Sequence, residues 1–396
     1  RQLSTHLRFS SLMKNFYTNM NDAVSGFLSE NFQKSQDSES ADIIWLSTES
    51  FSEYFQRNFN RFQRKNLFCV NHIGCSVELT RKDLFCQNVQ HLQRLYSKRP
   101  EVRSRLEFIP KTFILPTDQS LVFSTISAAN NATNNAKEKE NLFIVKPCGY
   151  QQGRGIFVAS PATLKRWLSV DYPEILKAED YHRIYLVQNY IPNPLLLGGM
   201  KFDFRIYAHL HFGKLFLSPH SFAKFCSKQF DLQNFEPETH LTNVSICHSK
   251  MWKRELFQLL KMRFPLQKLR KLSKRIVETV LLAVMAPISL FNFKEQQFEL
   301  FGVDLLITQK FETMVMEVNS SPSMQATDDR DLVMKKMVAR DCLTAQFMKS
   351  QKEKEMKNGS MLIFEFEKQF KTGMEWIGEI DKGARNQELW QFWLEQ

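Results

Sequence analysis

The 396-residue chain has no long hydrophobic run. Its longest apolar stretch, Thr279 to Phe293, contains Pro287 and is shorter than the about 20 residues a bilayer span needs. The opening residues, RQLSTHLRFSSLMKNFY, lack an apolar core followed by a small-residue cleavage site, so no secretory leader is expected. Without that route the sequon at Asn131 predicts no glycan. Cysteines number seven, an odd count with no CxxC pair, which points to reduced thiols in the cytoplasm rather than a disulfide framework. Cys69-x2-His72-x2-Cys75, with Cys86 beyond, crowds its candidates together, whereas structural zinc takes two separated pairs; buried small hydrophobes are the simpler reading. Neither GxxxxGK[ST] nor a GxGxxG opening a helix occurs, and no repeat of 20–50 residues is present. Acidic residues are outnumbered, 42 against 53 Lys plus Arg, for a net charge of +11. Such an excess suits an acidic partner: nucleic acid, an anionic membrane or an acidic peptide.

With 43% hydrophobic and 24% charged residues, the composition is that of a globular protein of two to three domains. The 35 phenylalanines read as compositional bias plus core. The pattern is mixed α and β without regular βαβ units. Residues 1–40 are polar, with helical spacing of Leu12, Phe16 and Met20, and read as a peripheral extension. DIIWLST (from Asp42) and IPKTFILP (from Ile109) are extended, and residues 41–127 form an N-terminal subdomain. AANNATNNAKEKE (from Ala128) has no core pattern and reads as a loop or boundary. NLFIVKP and Ile156–Ala159 read as strands around a glycine-rich turn, within a central part assigned to 128–205. KFDFRIYAHLH (Lys201 to His211) alternates at period two, as a half-buried strand does. Residues 251–285 read as one long helical stretch, inside a C-terminal part assigned to 206–345. A helical tail with Trp376, Trp390 and Trp393 is expected over 346–396.

Three groups of residues carry chemical potential. Lys146-Pro-Cys-Gly-Tyr-Gln-Gln152-Gly153-Arg154-Gly155 places glycines and cations between two strands. Glycines let backbone N–H groups approach phosphate oxygens, though a glycine turn between strands is more often a plain hairpin. Asp304 in FELFGVDLLIT, and Glu317 and Asn319 in MVMEVNSSPS, are polar residues in otherwise apolar strands. Glu317 and Asn319 share a strand face, and a hairpin turning near Lys310 and Phe311 sets Asp304 opposite Glu317. Oxygen donors so gathered suit Mg²⁺ shared with phosphates, and carboxylates there need a compensating cation. Lys201, Asp203 and Arg205 share one face of their strand, able to bind phosphate or an acidic substrate or to form a row of salt bridges. His240-Leu-Thr242-Asn243 adds a polar cluster that is also compatible with a helix cap.

Taken in order, KPCGYQQGRGIF, LVQNYIPNPLLLGGMKFDFRIY, HLTNVSI and FELFGVDLLI…MEVNSSPS resemble the tubulin tyrosine ligase-like family. VNHIGCSVELTRKDLFCQN and FIPKTFILP fit its N-terminal part, and the resemblance covers about residues 42–345. KPCG and HLTNV are most similar to its polyglutamylase branch. The resemblance implies an α/β (α+β) ATP-grasp fold with N-terminal, central and C-terminal subdomains, using ATP and Mg²⁺. By motif, Lys146 and the loop Gln152, Gly153, Arg154, Gly155 and Ile156 would hold the phosphates. Gln188, Tyr190 and Ile191 would line the adenine pocket. Lys201, Asp203 and Arg205 would face nucleotide and amino acid, joined on the catalytic side by Lys224, His240, Thr242 and Asn243. Asp304, Glu317 and Asn319 would hold Mg²⁺. The implied reaction adds free glutamate to glutamate side chains of the acidic tubulin tail through an acylphosphate, with no Ser or Cys nucleophile. Glycylation, tyrosination or an inactive microtubule-binding relative are the alternatives. The implied partners are tubulin and microtubules, with accessory subunits allowed, rather than nucleic acid or membrane. The implied setting is the cytoplasm and cytoskeleton, at microtubules of cilia, flagella or basal bodies.

The chain departs from the family pattern at four positions. Lys224 stands where Arg is usual, Ser221 near a usual Gly, and Tyr150 and Met200 where basic residues are common. These positions bear on acceptor or amino-acid specificity more than on the metal. Lys250 to Arg275 carries ten Lys or Arg against one acid, Glu255. Its spaced leucines (Leu256, Leu259, Leu260, Leu266, Leu269, Leu272) predict an amphipathic region with a cationic face.

Overall fold

The computed structural model describes residues 15–58, 69–132, 142–150, 152–177, 181–211, 214–243, 249–291, 296–347 and 362–365. The strands are β1 (Asn15–Thr18), β2 (Gln33–Lys34), β3 (Ile43–Trp45), β4 (Cys69–Asn71), β5 (Thr112–Leu115), β6 (Phe143–Pro147), β7 (Phe157–Ala159) and β8 (Tyr185–Asn189). They continue as β9 (Leu196–Leu197), β10 (Met200–His211), β11 (Lys214–Leu217), β12 (Phe222–Phe225), β13 (Lys250–Trp252), β14 (Gln297–Ile307), β15 (Thr313–Ser320) and β16 (Leu362–Glu365). Among the described residues twelve of them form one sheet, with the path β13-β12-β10-β14-β4-β3-β1-β2. β15 joins it on β14, β9 and β11 on β10, and β16 on β11. The β4-β3-β1-β2 end is parallel, and the pairings of β10, β12, β13 and β15 are antiparallel. A second, antiparallel sheet has the order β5-β8-β6-β7.

The alternation in β10 explains how the large sheet is clothed. Phe202, Phe204 and Ile206 face one core, with Leu256, Leu269 and Val280 from the helices Lys253–Arg263 and Leu266–Met285. Tyr207 faces a second core, with Phe16, Leu28, Val338 and Leu343. Helices Ala23–Asn31 and Asp329–Phe347 cover that side. Residues 276 to 285 are nearly all buried, which is why that run is apolar all round. No helix among the described residues is long and apolar enough to cross a membrane.

Several expectations change. The helical spacing at Phe16 and Met20 belongs to strand β1 and the turn after it, while Leu12 lies outside the described residues. β1 pairs with β3 inside the sheet, and Phe16, Val24, Phe27 and Leu28 are buried in its core, so residues 15–32 are integral rather than peripheral. A strand lets Phe16 enter one core while Tyr17, on the other face, packs against a smaller one around Ile44 and Tyr54, and tertiary packing overrides the local spacing. The small sheet starts at β5, ahead of residue 128, and a division at 205/206 would cut β10 in half. Helix Gln119–Ala132 runs into the supposed loop at Ala128, whose later residues lie outside the described ones. The 251–285 stretch is broken at Phe264 and Pro265, because proline cannot continue the helix before it. In the tail, Leu362–Glu365 is a strand, and Trp376, Trp390 and Trp393 lie outside the described residues.

Phe16→Ala tests the N-terminal assignment. Removing a fully buried ring is expected to cost about 3–5 kcal/mol by urea unfolding. A loss within about 0.5 kcal/mol, the usual surface value, would return the segment to the periphery.

Candidate active site

β14 and β15 form the expected hairpin, turning at Phe311 in a left-handed conformation (φ 63°). Its register sets Asp304 opposite Glu317 and Gly302 opposite Asn319. On the other side of β14, Arg205 of β10 lies opposite Asp304, and Lys224 of β12 lies opposite Asp203. The period-two readings of three strands therefore meet on one face of the sheet.

Asp304 is the centre of this face. Its carboxylate is buried and accepts from Arg205 Nε at 2.6 Å, Arg205 Nη2 at 2.8 Å and Lys224 Nζ at 2.8 Å. Burial opposes its ionisation, but Arg205 and Lys224 outweigh burial and hold the carboxyl well below its ordinary range. Gly302 makes the arrangement possible: a Cβ there would lie 2.8 Å from Pro322 Cβ and 3.0 Å from Arg205 Nη1. Asn319 Nδ2 donates to Glu317 Oε1 at 3.0 Å. Asp304, Glu317 and the Asn319 carbonyl are hard oxygen donors in adjacent register, and this donor set fits Mg²⁺.

A second constellation abuts the first. Lys201, buried on β10, donates from Nζ to the His240 carbonyl at 2.6 Å and sits 5.3 Å from the Tyr190 ring centroid. Burial disfavours its charge, yet Tyr190 and Asp203 outweigh that, and its pKa is raised. His240 Nε2 lies 2.5 Å from the Asn234 carbonyl, which can only accept, so that nitrogen carries the proton. Burial lowers the His240 pKa, so the ring is neutral and Nδ1 accepts from the Tyr190 hydroxyl at 2.6 Å. Thr242 donates to Asp203 Oδ2, while the buried Asp203 Oδ1 has no hydrogen-bond partner among the described residues. An orphaned buried acceptor costs free energy and marks a place for a donor.

The small sheet contributes Lys146 and Gln188. Burial pushes the Lys146 ammonium down to about 8, and the Glu317 charge pulls the other way. Gln188 Nε2 donates to Thr112 Oγ1 at 2.8 Å, and Gln188 and Glu317 line one narrow crevice. The glycine-rich loop joins β6 to β7 with Gln152, Gly153 and Gly155 at positive φ (60°, 79° and 70°). Arg154 is exposed on it. Ile156, Ile191 and Asn243 are half-buried on neighbouring segments. A cavity of about 820 Å³ lies elsewhere, between Gln90, Lys111, Arg275 and Glu312, and holds none of the expected residues.

The sequence reading missed Lys82. Its Nζ lies 3.9 Å from Glu317 Oε2 and 3.4 Å from the Tyr150 carbonyl of the glycine-rich loop, so one cation touches both sheets. The signal was Arg81-Lys82-Asp83: Arg81 takes Asp83 at 2.6 Å, which leaves the middle cation to act elsewhere.

An array of acids and cations beside a glycine-rich loop suits the class of ligases and kinases that work by positioning phosphates. The chain belongs to the tubulin-tyrosine ligase family, whose sequence profile matches residues 60–355. It is 28% identical over 326 residues to "Probable alpha-tubulin polyglutamylase Ttll1" of Tetrahymena thermophila, covering 76% of each chain. It is 27% identical over 329 residues to human "Probable tubulin polyglutamylase TTLL2", covering 78% of this chain and 51% of that one. To "Probable tubulin polyglutamylase ttll-9" of Caenorhabditis elegans it is 27% identical over 309 residues, 74% of this chain and 70% of the other. The mixed α/β architecture agrees with the ATP-grasp expectation.

Asp304→Asn tests the electrostatic centre. A carboxyl with a depressed folded pKa stabilises fully above its ordinary value of 3.8 and loses that contribution as pH falls below it. The substitution leaves two buried cations without their anion and is expected to cost about 3–5 kcal/mol at pH 7. Its stability should also fall less steeply than the parent's between pH 4 and pH 2, measured by urea unfolding across that range.

Proposed function

We propose that this chain is an ATP- and Mg²⁺-dependent ligase that joins glutamate to glutamate side chains of tubulin's acidic tail. The observation that carries the reading is the cross-strand pair Asp304–Glu317 with Asn319 on the same face, flanked by Lys146, Lys201, Arg205 and Lys224. The names of the relatives support the acceptor and the amino acid. Free glutamate, tubulin and a cytoskeletal setting follow from the same reading.

In this mechanism Lys146 and the N–H groups of the glycine-rich loop bind the ATP phosphates. Gln188, Tyr190 and Ile191 enclose the base, and Asp203 Oδ1 accepts a hydrogen bond from the nucleotide. Asp304, Glu317 and Asn319 would hold Mg²⁺, which supplies charge neutralisation at the phosphates when bound. The acceptor carboxylate attacks the γ-phosphorus and ADP leaves, giving an acylphosphate. The glutamate amine then attacks the acyl carbon, phosphate leaves, and the nitrogen loses a proton as the amide forms. Arg205 also bonds Tyr207, and Lys224 keeps further N–H donors beyond the one spent on Asp304. These donors orient carboxylates and offset charge in the transition state.

Helices Lys253–Arg263 and Leu266–Met285 bear the cationic face. Leu256, Leu260, Leu269 and Leu272 are buried, whereas Leu259 and Leu266 are exposed, a correction to the predicted stripe. Arg254, Lys261, Lys268, Arg270, Lys271 and Lys274 are exposed. The nearest acids are engaged elsewhere: Glu255 with Arg330 at 2.6 Å and Glu278 with Arg105 at 2.7 Å. This face is the proposed contact with the acidic microtubule surface.

Two experiments test the reading. Purified microtubules with labelled glutamate, glycine or tyrosine should take up glutamate alone, dependent on ATP and Mg²⁺, and Glu317→Gln should abolish the uptake. Uptake of another amino acid would correct the substrate, and binding without uptake would make the chain a microtubule-binding relative. Neutralising Lys261, Arg270, Lys271 and Lys274 together should raise the apparent KM for microtubules and flatten its salt dependence. An unchanged salt dependence would remove this face from the contact.

A further inference from the structure

The edge of β14 is used twice. β4 pairs in parallel with Gln297 and Phe298, and β15 pairs antiparallel from Phe301 onward. Between them, at Glu299 and Leu300, the C-terminal ends of β4 and β15 meet. His72, one residue beyond β4, and Ser321, one residue beyond β15, are both left-handed there (φ 79° and 42°). A non-glycine residue holds that conformation only where its surroundings fix it.

A buried ion pair does the fixing. His72 Nδ1 lies 2.9 Å from Glu299 Oε1, with both side chains almost fully buried. Glu299 Oε2 accepts from the Ile73 N–H at 3.0 Å, which locks the turn after β4. Burial opposes charge on the imidazole, but Glu299 and the Leu46 carbonyl outweigh it, raising the His72 pKa. The other ring nitrogen lies 3.0 Å from the Leu46 carbonyl and 3.3 Å from Ser321 Oγ, and Thr48 Oγ1 also reaches Ser321 Oγ at 3.3 Å. Four segments are therefore tied at the point where β15 ends, two residues past Asn319.

We propose that His72 and Glu299 are positioning residues that clamp Ser321, and so hold Glu317 and Asn319 in register with Asp304 for metal and nucleotide. The inference rests on the metal-site reading above. Neither residue is on the site face: Glu299 and Asp304, five positions apart in one strand, point to opposite faces of the sheet. Their influence runs through the backbone of β15.

The test uses the full chain and free Mn²⁺ measured by electron paramagnetic resonance, with a non-hydrolysable ATP analogue present and thermal unfolding recorded alongside. Glu299→Gln keeps the side-chain shape and removes the charge. Ser321→Ala removes only the clamped hydroxyl and keeps a half-exposed site able to fold. Both are expected to weaken Mn²⁺ binding roughly 10-fold or more, the usual effect of losing an outer support of a metal site. Leu269→Ala, in the buried core on the sheet face opposite Asp304 and Arg205, should lower the unfolding temperature and leave Mn²⁺ affinity unchanged. Unchanged Mn²⁺ affinity in both Glu299→Gln and Ser321→Ala would overturn the proposal and make the pair purely structural. If the parent chain binds Mn²⁺ no better than Glu317→Gln, the metal-site reading itself fails and takes this inference with it.

Discussion

The buried contact among Arg205, Lys224 and Asp304 is the constraint on which the rest depends. Three charges removed from water are tolerable only with close geometry, since desolvation costs several kcal/mol per ion. The bidentate Arg205 contact at 2.6 and 2.8 Å, with Lys224 at 2.8 Å, supplies that geometry. It also fixes register. A one-residue slip of β10 against β14 would send Lys201, Asp203 and Arg205 into the apolar core and Phe202 and Phe204 onto the site face. Stability and site assembly are thus one requirement on the same strands.

The two sheets divide the work. The large sheet carries the acids and most cations on strands packed between helical layers, where side chains have little freedom. The small sheet carries Lys146, Gln188 and the glycine-rich loop. Lys82, from helix Lys82–Leu95, spans the two at Glu317 and Tyr150. The crevice between Gln188 and Glu317 is about 10 Å³, room for about one water, so a nucleotide there would require the sheets to part.

Much of the site was legible because strand period two is a strong signal. The alternation in KFDFRIYAHLH put Lys201, Asp203 and Arg205 on one face of their strand, and the expected hairpin set Asp304 opposite Glu317, as the register has it; that the two groups meet follows only from the pairing of β10 with β14. Other features depend on contacts distant in sequence. Phe16 is buried only because β1 finds β3, and His72 has its carboxylate partner only because the fold brings in Glu299 from 227 residues away. Lys82 reads as an ordinary helix-start cation until the loop at Tyr150 comes near. The zinc-like spacing around His72 shows the reverse hazard, since the imidazole is committed to Glu299 and Leu46.

The most direct test of the chemistry follows one oxygen. An acceptor peptide whose glutamate carboxylates carry ¹⁸O is incubated with the chain, ATP, Mg²⁺ and glutamate, and the released phosphate is analysed by mass spectrometry. Activation through an acylphosphate predicts one ¹⁸O in the phosphate for each amide formed. Product with unlabelled phosphate would contradict carboxylate attack on the γ-phosphorus, and with it the role given to the Asp304–Glu317 face.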